Sequence, residues 1–390
     1  MWGDNELVSF KKMTNSIKKN SKNPPVFTSY FCLLKDPRRT NKGNFYYPLQ
    51  EILFLTISAV ISGADGWVAI NQFGKIKLSW LRQYFPFENG IPSHDILGKL
   101  FARLNHQEFT NCFTDWIASI SHFTNGEVIA IDGKTICKSN NQSTGESALH
   151  VVSAYAAENR LCLGQQVVDQ KSNEITAIPE LLKMLDIKGC IVTIDAMGCQ
   201  KKIAADIVKK KADYLLMVKD NQKELKQQVE KMFSRGGIAD TNTLLDAGHG
   251  RVENRVCDVI DDLCFMDEKE QWKNLKSIVK IQSERYNKQT GKTSQYTRYY
   301  ISSMPADAEK MNKAIRQHWS VENNLHWELD VIFKEDDSLK KKGESPKNFN
   351  VILKMAMTLL NNEKLGKISK PSKRLKAALD DKFRNKIIMG

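Results

Sequence analysis

The chain has 390 residues, 58 Lys and Arg against 45 Asp and Glu, a formal net charge of +13 and 41% hydrophobic residues. That apolar content excludes a disordered tail and supports two or three cored domains. The positive balance favours a polyanionic partner, nucleic acid first, because neutralising phosphates releases condensed counterions; a merely soluble basic surface is the competing explanation.

Residues 1–27 are polar and basic and end near Pro24 and Pro25, so they read as a flexible arm without an apolar segment or cleavage site. Residues 28–124 read as a small all-helical domain, PLQEILFLTISAVISGA being the first of four helical patterns punctuated by Gly63, Gly66, Gly90 and Pro92. Its longest apolar run, 52–61, falls short of the roughly 20 residues that cross a bilayer. In IPSHDILGKLFARLN, Ser93 or Asp95 is the N-cap candidate, and Lys99 and Arg103 share the face opposite Leu97, Leu100 and Leu104. That face serves either as a DNA recognition helix or as a solvated surface; the second is favoured. The eight cysteines show no CxxC pair or zinc-ligand spacing and read as reduced residues of a cytoplasmic protein.

The character changes at Glu127. VIAIDG, LHVVSAYAA and LCLGQQVVD read as three strands, followed by a helix, strand CIVTID, a second helix and strand DYLLMVK. This order predicts an α/β fold with a mixed sheet and flanking helices over 125–362. Asp132 falls at the end of the first strand and Asp195 at the end of the fourth, so the two carboxylates meet if those strands are neighbours. A β-rich insertion follows at about 220–306. From Asp307 a single helix is expected through residue 333, with Val321, Leu325, Leu329 and Ile332 as its apolar stripe and Glu322 at the border. Residues 363–390 read as a basic tail that follows DNA or only solubilises.

Either aspartate alone is more often a turn former, and Glu322 alone more often a surface residue; the ordered trio is informative. Phosphodiester chemistry needs an attacking oxygen, an in-line leaving oxygen and neutralised phosphate charge, which two divalent metals supply. Mg²⁺ prefers oxygen ligands, so Asp132 would bridge two Mg²⁺ ions, Mn²⁺ substituting, with Asp195 and Glu322 completing one each. Two alternatives are a zinc enzyme using His318, Glu322 and His326, and a phosphatase using Asp132 as nucleophile.

The stretches DPRR (36–39), ISAVISGADGW, IPSHD, GEVIAIDGKT, HVVSAYAAENRLCLGQ, KSNEITAIPELL, GCIVTIDAMGCQ, GHGR and HWSVENNLHWELDVIFKED together resemble the DDE-type transposases of bacterial insertion sequences, the H-repeat-associated group in particular. The resemblance runs from about residue 28 to residue 362. It implies a ribonuclease-H-like catalytic domain with Asp132, Asp195 and Glu322 as catalytic and metal-binding residues, and an associated N-terminal helical domain. It also implies double-stranded DNA ends and target as partners, and a homodimer or higher oligomer on DNA, with no membrane and a nucleoid location. A catalytically silent DNA-binding relic is the alternative. The chain departs from the wider superfamily where His318 and Ile315 stand in place of arginine and tyrosine, and where Asp220 replaces an expected glycine. His318, Arg316, Lys219, Asn221, His249 and Arg251 are the candidate phosphate contacts.

Overall fold

The first four residues of β1 (Val128–Ile136) are β-branched or small, and each is at most 2% exposed, as a strand covered on both faces requires. The computed structural model describes residues 25–38, 46–121, 123–140, 145, 147–168, 173–248, 250–364 and 368–389. The expected arm therefore lies almost wholly outside the described residues, as does His249. The chain divides into two units, one made of Ser121–Lys134 and Val151–Leu325, the other of Met1–Ile120, Thr135–His150 and His326–Gly390.

The first unit is built on a nine-stranded sheet of order β3-β2-β1-β4-β5-β9-β8-β7-β6. After β2 (Leu149–Ala156) and β3 (Leu161–Val168), helix α1 (Glu174–Met184) packs against β3 and leads to β4 (Ile191–Ile194). Helix α2 (Lys201–Lys209) then leads to β5 (Asp213–Val218). β4 runs parallel to both β1 and β5, which crossover connections make possible. The β-rich segment comprises α3 (Lys223–Arg235), β6 (Asp240–Gly248), β7 (Arg251–Ile260), β8 (Ser277–Asn287) and β9 (Thr293–Ser302). It prolongs the same sheet as an antiparallel meander, because β9 pairs with β5.

Helix α4 (Ala308–His318) is capped by Asp307, which accepts from Lys310 N at 2.9 Å. Its buried Met311, Ala314 and Ile315 share a core with Cys257, Val259, Val279, Ile281 and Tyr300 of the meander. Two expectations change here. β1 continues four residues past Asp132, although its pairing with β4 stops at Ile131 opposite Ile194. The long helix expected to residue 333 is broken: a π-helical segment, Val321–His326, precedes a short α-helix, Trp327–Val331. The wider π turn shifts the side-chain phase, while Val321, Leu325 and Leu329 each stay at most 1% exposed.

The second unit is helical and draws on both ends of the chain. Helix Leu49–Ile61 buries Ile52, Phe54, Leu55 and Ala59 completely, and helix Ser345–Asn362 does the same with Val351, Met355, Ala356 and Met357. Helices apolar all round must be central, and these two pack against each other. The all-helical domain expected at 28–124 is thus completed from the C-terminal side. Ser93 caps helix His94–Phe101 through Ile96 N at 3.3 Å. Lys99 is exposed on that helix, but Arg103 lies in the turn beyond it, so the two do not share one helical face. Among the described residues no helix is long and apolar enough to cross a membrane.

The expected basic tail folds into helices Lys370–Leu379 and Asp381–Met389. Its arginines turn inward to add donors to backbone carbonyls, Arg374 at the end of helix Leu49–Ile61 and Arg384 at Ala377 O. Arg374, 7% exposed, donates to Val60 O at 3.1 Å and to Asp65 Oδ1 at 2.6 Å. Arg384 is fully buried with its guanidinium 4.0 Å from the Trp80 ring. Arg374→Ala is expected to lower the unfolding free energy by about 3 kcal/mol, since it removes a buried guanidinium that donates to Val60 O, Ile332 O and Asp65. Leu375→Ala, at a position 63% exposed, should cost less than about 0.5 kcal/mol, both read from urea titrations.

Candidate active site

Because Ile131 pairs with Ile194 across parallel strands, Asp132 and Asp195 leave the ladder side by side, at the strand spacing of about 4.8 Å. The loop after β4 is tightly wound: Asp195 Oδ1 accepts from Met197 N at 3.0 Å and Gly198 N at 3.4 Å. Gly198 is required there, since a Cβ would fall 2.3 Å from Ile194 Cγ2. From the next connection, Asn221 Nδ2 donates to Ala196 O at 2.7 Å and Gln222 Nε2 to Cys199 O at 2.9 Å. Asn221 therefore acts as a clip on the Asp195 loop. Asp220, the residue in place of the expected glycine, is paired with Lys226 at 2.8 Å.

Burial, then the neighbouring Asp195 and Glu174 and more weakly Glu322, push the Asp132 pKa up from 3.8 to about 7. Asp195 is also raised, by burial and then Glu174, against lowering contributions from Gly198 N, Met197 N and Lys219. Four carboxylates thus act on one small region. Glu174 was not picked out from sequence, where an acid following Asn173 at a helix start signals only a favourable first turn. Among the described residues, no three His, Cys, Asp or Glu side chains are gathered closely enough to form a ready-made metal cluster. This holds for the carboxylate trio and for the His318, Glu322, His326 spacing considered for zinc.

His318 Nδ1 lies 3.0 Å from Thr193 Oγ1, two residues before Asp195. Burial lowers its pKa to about 4, against a smaller raising contribution from Thr193. The imidazole is therefore neutral at physiological pH and ties α4 to β4. Lys219 is exposed near enough to Asp195 to lower its pKa. Arg316 is exposed and paired with Asp246 at 2.8 Å. Arg251, at the start of β7, lines a cleft of about 560 Å³ that Glu322 also borders. Lys99 and Arg103 belong to the helical unit.

A mixed sheet that presents paired aspartates at the ends of parallel pairing, with a glutamate on a late helix, defines a class that the sequence comparisons then specify. Residues 124–359 match the family described as "Transposase DDE domain", and residues 28–117 match "DDE_Tnp_1-associated". The chain belongs to the DDE transposase family. Among curated relatives, the "H repeat-associated putative transposase YhhI" of Escherichia coli K12 is 42% identical over 370 residues, spanning 93% of this chain and 97% of that protein. The "Inactive transposase YbfQ" of the same strain is 51% identical over 57 residues, 15% of this chain and 68% of that protein. Among solved structures, a piggyBac transposase synaptic complex with hairpin DNA aligns at a TM-score of 0.44 and 13% identity, covering 97% of this chain and 81% of that one.

The raised Asp132 pKa has a defined sign. As pH rises, the unfolded carboxyl ionises near 3.8 while the folded one stays protonated until about 7, so this group's contribution makes folding progressively less favourable across that window. In EDTA, Asp132→Asn should be more stable than the native chain at pH 8 by on the order of 3 kcal/mol, with the gap closing toward pH 4. Thermal melts at both pH values measure it; parallel pH profiles would contradict the assignment.

Proposed function

We propose that this chain is a metal-dependent DNA transposase that binds insertion-sequence ends and catalyses strand cleavage and strand transfer. The observation carrying this reading is the adjacency of Asp132 and Asp195 across parallel strands, coupled electrostatically to Glu322. The strand order β3-β2-β1-β4-β5 supports a ribonuclease-H-like catalytic domain prolonged by the meander. The helical unit contains the associated domain, residues 28–117, with Lys99 and Arg103 available to DNA. The protein would work as a homodimer or larger assembly on double-stranded DNA in the bacterial cytoplasm, at the nucleoid.

The donor set suits a hard divalent cation: it is all carboxylate oxygen, and the mutual repulsion that raises Asp132 is what a cation would relieve. Asp132, Asp195 and Glu322 would hold two Mg²⁺ ions, with Mn²⁺ able to substitute. Once bound, these ions supply phosphate charge neutralisation and activation of the attacking oxygen. The protein's own part is to fix the carboxylates: the Asx turn and the Asn221 clip hold Asp195, the His318 bond holds the helix leading to Glu322, and Asp132 would bind a cation in its ionised form. Lys219 and Arg316 offer exposed positive charge for backbone phosphates.

A plasmid carrying candidate ends, incubated with Mg²⁺, Mn²⁺ or EDTA, tests the reading. Asp132→Ala, Asp195→Ala and Glu322→Ala should each reduce cleavage and strand transfer by about 10³-fold or more, in keeping with electrostatic transition-state stabilisation. Equal activity in the native chain and these variants would sink it. DNA binding without cutting by the native chain would favour the silent relic.

A further inference from the structure

One face of the meander changes character along its length. Alternate residues of β7 run Arg251, Glu253, Arg255, Cys257, Val259, and opposite them on β8 stand Asn287, Arg285, Ser283, Ile281 and Val279. The apolar half lies under α4. The other half opens into the cleft beside Glu322, where, among the described residues, Arg251, Arg255, Arg285, Arg298 and Arg316 face the acids Asp246, Glu253 and Glu322. Five guanidinium groups around a cleft this open are a poor basis for folding and a good one for an oxyanion.

The ion pairs are graded in strength. Glu253, 8% exposed, holds Arg255 at 2.8 Å, but Arg285 only at 3.5 Å and Arg316 at 3.9 Å. Arg255 is 5% exposed, and its Nε has no hydrogen-bond partner among the described residues. Arg298 is held by a different device, with its guanidinium 5.1 Å from the Trp319 ring. The cleft thus contains one buried donor without an acceptor among the described residues, Arg285 drawn loosely toward Glu253, and Arg316 held mainly by Asp246 at 2.8 Å.

We propose that Glu253 is an internal stand-in for a DNA phosphate, keeping Arg255 and Arg285 gathered until a backbone phosphate enters the cleft and takes over Arg285, the loosely held one. Glu253 stays with Arg255, while the incoming oxyanion bonds Arg285 and Arg298 next to the glutamate of the catalytic trio, with Arg316 held at the same cleft by Asp246. This rests on the transposase reading above and extends it. It explains why a cleft destined for a polyanion contains a buried acid: without one, the arginines would repel each other in the free protein.

The test uses the full-length Asp132→Asn protein, a random-sequence duplex oligonucleotide and fluorescence anisotropy across a salt series with Mg²⁺ present. Arg285→Ala and Arg298→Ala should each weaken binding about five- to tenfold and reduce the salt slope by about one. Glu253→Gln, which can still accept from Arg255, should tighten binding about threefold or more. Unchanged affinity in both arginine variants, with melts matching the parent, overturns the proposal. So does weaker binding by a normally melting Glu253→Gln, or displacement of the duplex by inorganic phosphate at matched ionic strength, which would make free phosphate the ligand. Cleavage by the native chain, run in parallel, separates the two ideas: arginine-dependent binding without any cutting supports the cleft and refutes the catalytic reading, and cutting with arginine-independent binding does the reverse.

Discussion

The hydrogen bond between His318 and Thr193 sets the geometry on which the candidate site depends. Apolar packing of α4 on the sheet is strong but non-directional, and such a helix could slide along its groove without losing much buried area. A directional bond from the last residue of α4 to the penultimate position of β4 fixes its position along the strand. Thr193 stands two residues from Asp195, and His318 four residues from Glu322. Both acids are therefore referred to one anchor. Desolvation favours the neutral form of this partly buried imidazole, so position 318 does not carry the permanent positive charge that an arginine there would.

Charge is arranged on the two sides of that anchor in opposite senses. Around Asp132 and Asp195, carboxylates are crowded and partly dried, with backbone N–H groups and Lys219 as the favourable partners. On the far side of the helix end, the meander presents guanidinium groups beyond what its acids can match. Both sides hold unfavourable self-interactions in the free protein, of opposite sign. A ligand combining a polyanion with divalent cations relieves both, and neither component alone does so.

Much of this was legible in sequence because strand signals and their punctuation are local. Val128 to Ile131 and Ile191 to Ile194 are short runs of β-branched residues and one alanine, each followed at once by an acid, and a strand-helix-strand order makes their parallel adjacency the simple solution. Other features were not local. Glu174 looks like any first-turn acid, and the π segment has no period of its own. His318 reads as a cation until the threonine beneath it is known. The β-rich character of the stretch around VCDVI is local and legible, but not which face of that strand meets α4. The C-terminal helices misled for a plainer reason: Lys and Arg usually mark solvated surface, whereas Arg374 and Arg384 serve buried carbonyls.

The helical unit also places a demand on synthesis. Its two central helices, Leu49–Ile61 and Ser345–Asn362, are separated by the whole of the sheet unit in the chain. Contacts between such distant segments close late and slowly, so on the ribosome the first helix emerges with part of its apolar surface uncovered until residues 345–362 have been made. A chain lacking those residues would hold the sheet and its acids but leave the helical core open. Synthesis of helix Ser345–Asn362 is thereby built into the fold as a condition for hiding that surface.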